Sequence, residues 1–224
     1  MGGKKMSTSL LILGNTGTGK STSIETLNPE TTFIIQCVNK ELPFRGFKKK
    51  YPLKTKEQEG NRYITNSYKS IGGVLQYINS NEKIKTLIID DITYLMTNEF
   101  VTTETKGYDK FNDIAQNFYT LINKIKSLRE DLIVVLLGHE EIDNNTGRSQ
   151  IKTVGKLLNE KICIEGMFSI VLNTLVNSEG YHFQTQNNGY NTTKSPKGMF
   201  ELLEPNDLHH IINKIEEYYK GDDE

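Results

Sequence analysis

The sequence predicts an α/β fold: a mostly parallel central sheet flanked by helices, ending in a β-hairpin and a helix. Three observations predict it. Short apolar runs recur at wide intervals: LLIL (10–13), TTFIIQCV (31–38), KTLIID (85–90), DLIVVLLGH (131–139) and FSIVLNTLV (168–176). They are β-branched and nearly continuous, as strands buried on both faces of a parallel sheet are. Helical patterns fall between them, and strand–helix alternation implies right-handed crossovers. The first run also leads straight into a glycine-rich stretch, GNTGTGKS.

That stretch fits G-x-x-x-x-G-K-[ST], with an apolar strand before it and a helix expected after it. Its glycines let the backbone curl so that successive N–H groups point at phosphate oxygens. The expected helix would add its positive N-terminal end. Gly14, Asn15, Thr16, Gly17, Thr18, Gly19, Lys20, Ser21 and Thr22 are therefore the expected ATP cradle. Lys20 reaches the β- and γ-phosphates, and the Ser21 hydroxyl ligates Mg²⁺.

The remaining elements follow in order. The second strand ends in CVNKELPF, where Glu41 is a candidate general base for the attacking water. A polar loop (39–69) containing FKKKYPLKTK precedes a modest helix at 70–80. The strand KTLIID ends in Asp90, expected on the metal. Asp91 stands next to it, where alternation of strand side chains gives it a different task, such as orienting water. A polar loop at 97–107 leads into the amphipathic helix 108–128, with Phe111, Ile114, Phe118, Leu121, Ile122 and Ile125 along one face. The third core strand ends in His139, at the carboxyl end of a parallel strand, where ligands bind and a polar side chain can sense the γ-phosphate. The loop at 140–155 is too long for an ordinary connection. FSIVLNTLV and YHFQTQ flank the turn NSEG and read as a hairpin. PNDLHHIINKIEEYYK reads as a last helix capped by Asn206 or Asp207. One domain over 1–224 is expected, with residues 1–7 and 220–224 frayed.

Composition narrows the function. Hydrophobic residues at 36% and charged residues at 25% suit a soluble domain. A net charge of −1 gives no global pull on nucleic acid, so any DNA contact must be local. Loops 97–113 and 140–156 are the candidates. The first interleaves Lys106, Tyr108 and Lys110, suited to a backbone and a stacked base, although both loops also carry acids. The four arginines, Arg45, Arg62, Arg129 and Arg148, are too scattered for a kinase's phosphate clamp. None lies in 203–224, where an AAA+ motor carries an arginine on its helical lid. No NKxD-type guanine reader follows a late strand, which favours ATP over GTP. Cys37 and Cys163 form no CxxC pair and read as buried thiols of a reducing compartment. No apolar run has the roughly 18 residues of a membrane span, and MGGKKM is too short and polar for a signal peptide. A cytoplasmic protein is expected.

The order of motifs resembles the RecA-like P-loop ATPases, and more closely the small phage AAA-domain nucleotide-binding proteins of the Sak4 type. The resemblance covers roughly residues 8 to 215 and rests on GNTGTGKST, TLIIDDITYL, IVVLLGHEE, VGKLLNEKI, FSIVLNTLV and FQTQNNGYNTTKSPKGMF. It implies that Lys194 and Lys197 lie near the nucleotide of a neighbouring subunit, hence a homo-oligomer. It implies that the loop after His139, with Arg148, Lys152 and Lys156, faces single-stranded DNA. Asp91 replaces the family's small hydroxyl residue, and QCVNKE replaces its acidic run, which leaves the catalytic base open between Glu41 and Asp91. The implied function is a Mg²⁺-dependent ATPase acting on single-stranded DNA in phage-type recombination or replication, in the cytoplasm of a bacterial host. The alternative is a nucleotide-binding protein that works with a protein partner.

Overall fold

The computed structural model describes residues 6–155, 157–158 and 161–220. Among them, nine strands form one sheet in the order β3-β2-β4-β5-β1-β7-β8-β9, with β6 paired to β5. The strands are β1 (Thr8–Gly14), β2 (Thr32–Gln36), β3 (Arg62–Ile64), β4 (Thr86–Asp90), β5 (Ile133–Ile142), β6 (Ser149–Ile151), β7 (Ile170–Asn177), β8 (Gly180–Gln184) and β9 (Leu203–Pro205). From β3 to β7 the pairing is parallel, and β7-β8-β9 is antiparallel. This is a RecA-like P-loop NTPase fold.

The α-helices with bounds among the described residues are α1 (Phe47–Lys50), α2 (Tyr68–Ser80), α3 (Thr93–Thr102), α4 (Asp109–Lys126) and α5 (Leu208–Lys220). Alternation along the strands divides the core between two faces. Leu11, Leu13, Val134 and Leu136 pack with Ile71 and Leu75 of α2 and with Ile114, Phe118 and Ile122 of α4. Leu10, Ile12, Val135 and Leu137 pack on the other face with Ile24, Phe44, Tyr51 and the α5 residues Leu208, Ile211 and Ile215. Covering both faces removes the alternating polar positions, hence the unbroken apolar runs.

Several expectations are corrected. The stretch after the glycine-rich loop is one 3₁₀ turn, Thr22–Thr26, not an α-helix. Its hydroxyls bond backwards, Ser23 Oγ to Lys20 O at 2.6 Å and Thr26 Oγ1 to Ser23 O at 3.1 Å, and Pro29 stands close behind. Such local bonds compete with a helix. The loop 97–107 begins as the last turns of α3, whose sequence TYLMTNEFVT lacks a clear apolar period. The long loop 140–155 is mostly hairpin: β5 continues to Ile142, turns over Asp143–Arg148 and returns as β6. Asp143 Oδ1 accepts from the Asn145 and Thr146 N–H groups to shape that turn. Cys163 is exposed, whereas Cys37 is buried as expected. Ser7, expected to fray, is buried, with N donating to Leu128 O and Oγ to Ile125 O. Lys220 closes α5. Residues 1–5, 221–224 and Lys156 lie outside the described residues. Asp207 Oδ1 accepts from His210 N at 3.0 Å, as a cap of α5 should. No described helix is long and apolar enough to cross a membrane.

Candidate nucleotide site

Strand order creates the site. β5 lies between β1 and β4, with Gly14 opposite His139 and Ile89 opposite Leu136, while Gln36 of β2 lies opposite Asp90. Four parallel carboxyl ends thus meet beside the glycine-rich loop, and a cleft of about 250 Å³ opens between them. The loop's shape depends on its glycines. A Cβ on Gly14 would fall 1.8 Å from Thr174 Oγ1. Gly19 has φ +95, and a Cβ there would press on Asn206 and Tyr181.

Lys20 is buried, and its Nζ donates to Gly14 O and Asn15 O, both at 2.7 Å. Burial lowers its pKa, opposed by Asp91 and reinforced by Lys40. Ser21 Oγ donates to Asp90 Oδ1 at 2.8 Å, so the hydroxyl and carboxylate expected on the metal are brought together. Asp90 Oδ2 is buried and has no hydrogen-bond partner among the described residues, and burial, with Asp91 next to it, raises the carboxyl's pKa. An orphaned buried carboxylate oxygen beside a hydroxyl fits Mg²⁺, a hard cation that takes oxygen ligands and is usually held by one or two carboxylates with water and phosphate completing its shell.

Asp91 occupies the opposite wall. Its Oδ2 lies 2.5 Å from Lys40 Nζ and its Oδ1 3.3 Å from His139 Nε2. Burial opposes ionisation, but the His139 and Lys40 contacts hold the carboxyl below its ordinary value. The His139 ring meets Tyr94 edge-on at 5.5 Å. Glu41 lines the rim of the same cleft, but it is 74% exposed and pairs with Lys48 at 2.7 Å. Lys48 lowers its pKa, making it a weaker base.

The late lysines are not at this cleft. The Lys194 backbone pairs with Val171, which stands opposite Leu11, three residues before the glycine-rich loop begins. Lys194 also lies near Lys126, and Lys197 O accepts from Tyr218 Oη beside α5. Of the expected DNA loops, Tyr108 is 89% exposed, and Lys110 Nζ stands 4.0 Å over the Phe100 ring. Arg148 and Lys152 are exposed on the β5–β6 hairpin.

Sequence reasoning missed Lys40, Glu140 and Tyr181. Lys40 and Tyr181 line the cleft. Glu140 joins three elements: its Oε1 accepts from Asn15 Nδ2 at 3.0 Å, and its Oε2 from Asn173 Nδ2 at 2.7 Å and from Ser149 Oγ. The only available signal was adjacency, since Lys40 precedes Glu41 and Glu140 follows His139.

A family model described as "AAA domain" matches residues 6–197. The chain belongs to the AAA domain family. The match spans the residues of the cleft and both late lysines and stops before α5, in keeping with a nucleotide-binding AAA domain. No curated protein matches the chain.

Proposed function

We propose that this AAA domain hydrolyses ATP with Mg²⁺ and couples hydrolysis to single-stranded DNA, in recombination or replication, as in phage proteins of the Sak4 type. The observation that carries the coupling is Glu140, which ties the phosphate loop at Asn15 to the β5–β6 hairpin at Ser149. A change in the loop around phosphate is thereby transmitted to the hairpin that presents Arg148 and Lys152.

The chain's residues divide the work. Backbone N–H groups of residues 14–22 and Lys20 bind the phosphates. Ser21 and Asp90 hold Mg²⁺, which neutralises charge on the β- and γ-phosphates. Asp91, buried in the cleft wall between Lys40 and His139, orients the water, whereas Glu41 stands exposed at the rim with its carboxylate paired to Lys48. His139 reports the γ-phosphate to Glu140 and the hairpin. Lys194 and Lys197 are too far along the fold for their own P-loop, so any phosphate contact they make is in a neighbouring copy of a homo-oligomer.

Fluorescence anisotropy of labelled single-stranded DNA, with and without ATP and across salt, tests the DNA step. Contacts from Arg148, Lys152 and Lys106 to three phosphates should give a log–log salt slope of about −2. The double substitution R148A/K152A should weaken binding and flatten that slope. Absence of binding at low salt transfers the function to a protein partner.

A further inference from the structure

Lys40 is the lysine lining the cleft that neither the phosphate motif nor the Ser21–Asp90 pair uses. It lies beyond the end of β2, and the side chain, 40% exposed, lines the cleft with Gly17, Gly19, Lys20 and Ser21. Its partner Asp91 is placed deliberately. Asp91 has φ 60, alone among the described non-glycine residues in the left-handed region. That conformation costs about 1–2 kcal/mol and persists where the surroundings over-determine it. Here Ile92 N bonds to Leu137 O at 3.0 Å and Tyr94 N to Asp91 O at 3.0 Å. The turn keeps the Asp91 carboxylate on the nucleotide side, between Lys40 and His139. An ammonium carries three N–H donors, and Asp91 accepts from one of them. Burial works against the Lys40 charge, but Asp90 and Asp91 raise its pKa and keep it protonated.

We infer that Lys40 is a catalytic residue, donating to an oxygen of the γ-phosphate while it holds Asp91 beside the attacking water. This rests on the ATPase reading and names the group that distinguishes a nucleoside triphosphate from a diphosphate. In the reaction the water oxygen bonds to the γ-phosphorus, and the bond from phosphorus to the β–γ bridging oxygen breaks. The electron pair leaves with ADP, and the water's proton passes by way of the Asp91 carboxylate to the released phosphate. Lys20 and Lys40 supply two cations from one chain, at a site with no arginine among its lining residues.

The test compares wild type with K40M, K40R and K49A, the last removing an exposed charge on α1. Affinities for fluorescent ADP and for a slowly hydrolysed fluorescent ATP analogue are measured alongside turnover. K40M should bind the triphosphate about tenfold more weakly with ADP affinity unchanged, and turnover should fall on the order of 10²-fold. K40R should recover part of both losses, and K49A should match wild type. A K40M protein with the wild-type affinity ratio and turnover overturns the inference. So does one that loses ADP and triphosphate affinity equally, since Lys40 would then merely support the fold. Wild type that binds triphosphate without turnover overturns the ATPase reading, while the affinity ratio still decides the contact. Wild type that binds neither nucleotide overturns both.

Discussion

The two walls of the nucleotide cleft are built in opposite ways. One wall, residues 14–22, is continuous in sequence and satisfies itself: Lys20 Nζ bonds to its own loop's carbonyls, and Thr18 Oγ1 to Asn15 O. The other is assembled from three strand ends, with Lys40 after β2, Asp90 and Asp91 at β4, and His139 in β5, and Asp91 joins it by pairing with Lys40 and touching His139. The first wall depends on local backbone shape. The second depends on strand register, because a slip in β2, β4 or β5 would separate its members. A closed local loop can be recognised, and can fail, by itself. An assembled wall fails wherever the sheet moves.

Substitutions separate the two. The largest effect should come from the local wall: K20A removes the lysine proposed to meet the phosphates, so turnover should fall by about 10²–10³-fold. The melting temperature should move little, because the buried ammonium already works against burial. Turnover at the wild-type level would sink the phosphate-site assignment.

The assembled wall should answer in both activity and stability. D91A and D91G each lose the Lys40 ion pair and the His139 contact, and turnover should fall at least about tenfold. D91G relieves the left-handed backbone and D91A does not, so D91A should be less stable than D91G by about 1 kcal/mol in urea unfolding. Equal stabilities would mean that φ 60 carries no strain. Acid sharpens the contrast. Held below its ordinary 3.8, the Asp91 carboxyl contributes stability that is complete above that value and lost as pH falls through the lower folded one. The melting-temperature gap between wild type and D91N should therefore be full near pH 6 and close below about pH 3.8. Lys20 has the same sign in a different window: its pKa is lowered by burial, so folding becomes more favourable as pH rises from its folded value toward 10.5.

The smallest effect should come from the link between the walls and the hairpin. E140A removes three hydrogen bonds and should cost on the order of 1 kcal/mol. Turnover should drop less than tenfold, while the ATP-dependent change in DNA anisotropy disappears. A retained ATP response would show that the signal travels by another route.

Legibility in the sequence follows the same division. Residues 14–22 could be read because the eight consecutive residues GNTGTGKS carry the pattern. Asp90 and His139 could be read because each ends an apolar run, and a strand's carboxyl end is a ligand position in such folds. Lys40 could not, because it stands in an aperiodic loop whose path is set by packing of Leu42, Phe44 and Phe47 under the sheet. Asp91 was expected to face away from Asp90 by strand alternation, and its turn to φ 60 cancels that rule. α3 was missed because only Thr93, Leu95 and Met96 are buried, too few to set a period. The short strands β3, β6 and β9 were missed because three residues carry no alternation.

The margins of the sheet have a consequence for how this protein behaves when concentrated. β3 and β9 are each three residues long, Pro205 ends one of them without an N–H, and Leu53 bridges to Arg62 along the other. Little free backbone is left for a second chain to extend the sheet. Any contact between copies would then run through loops and side chains, and crowded solutions should resist the strand-by-strand growth that builds cross-β fibres.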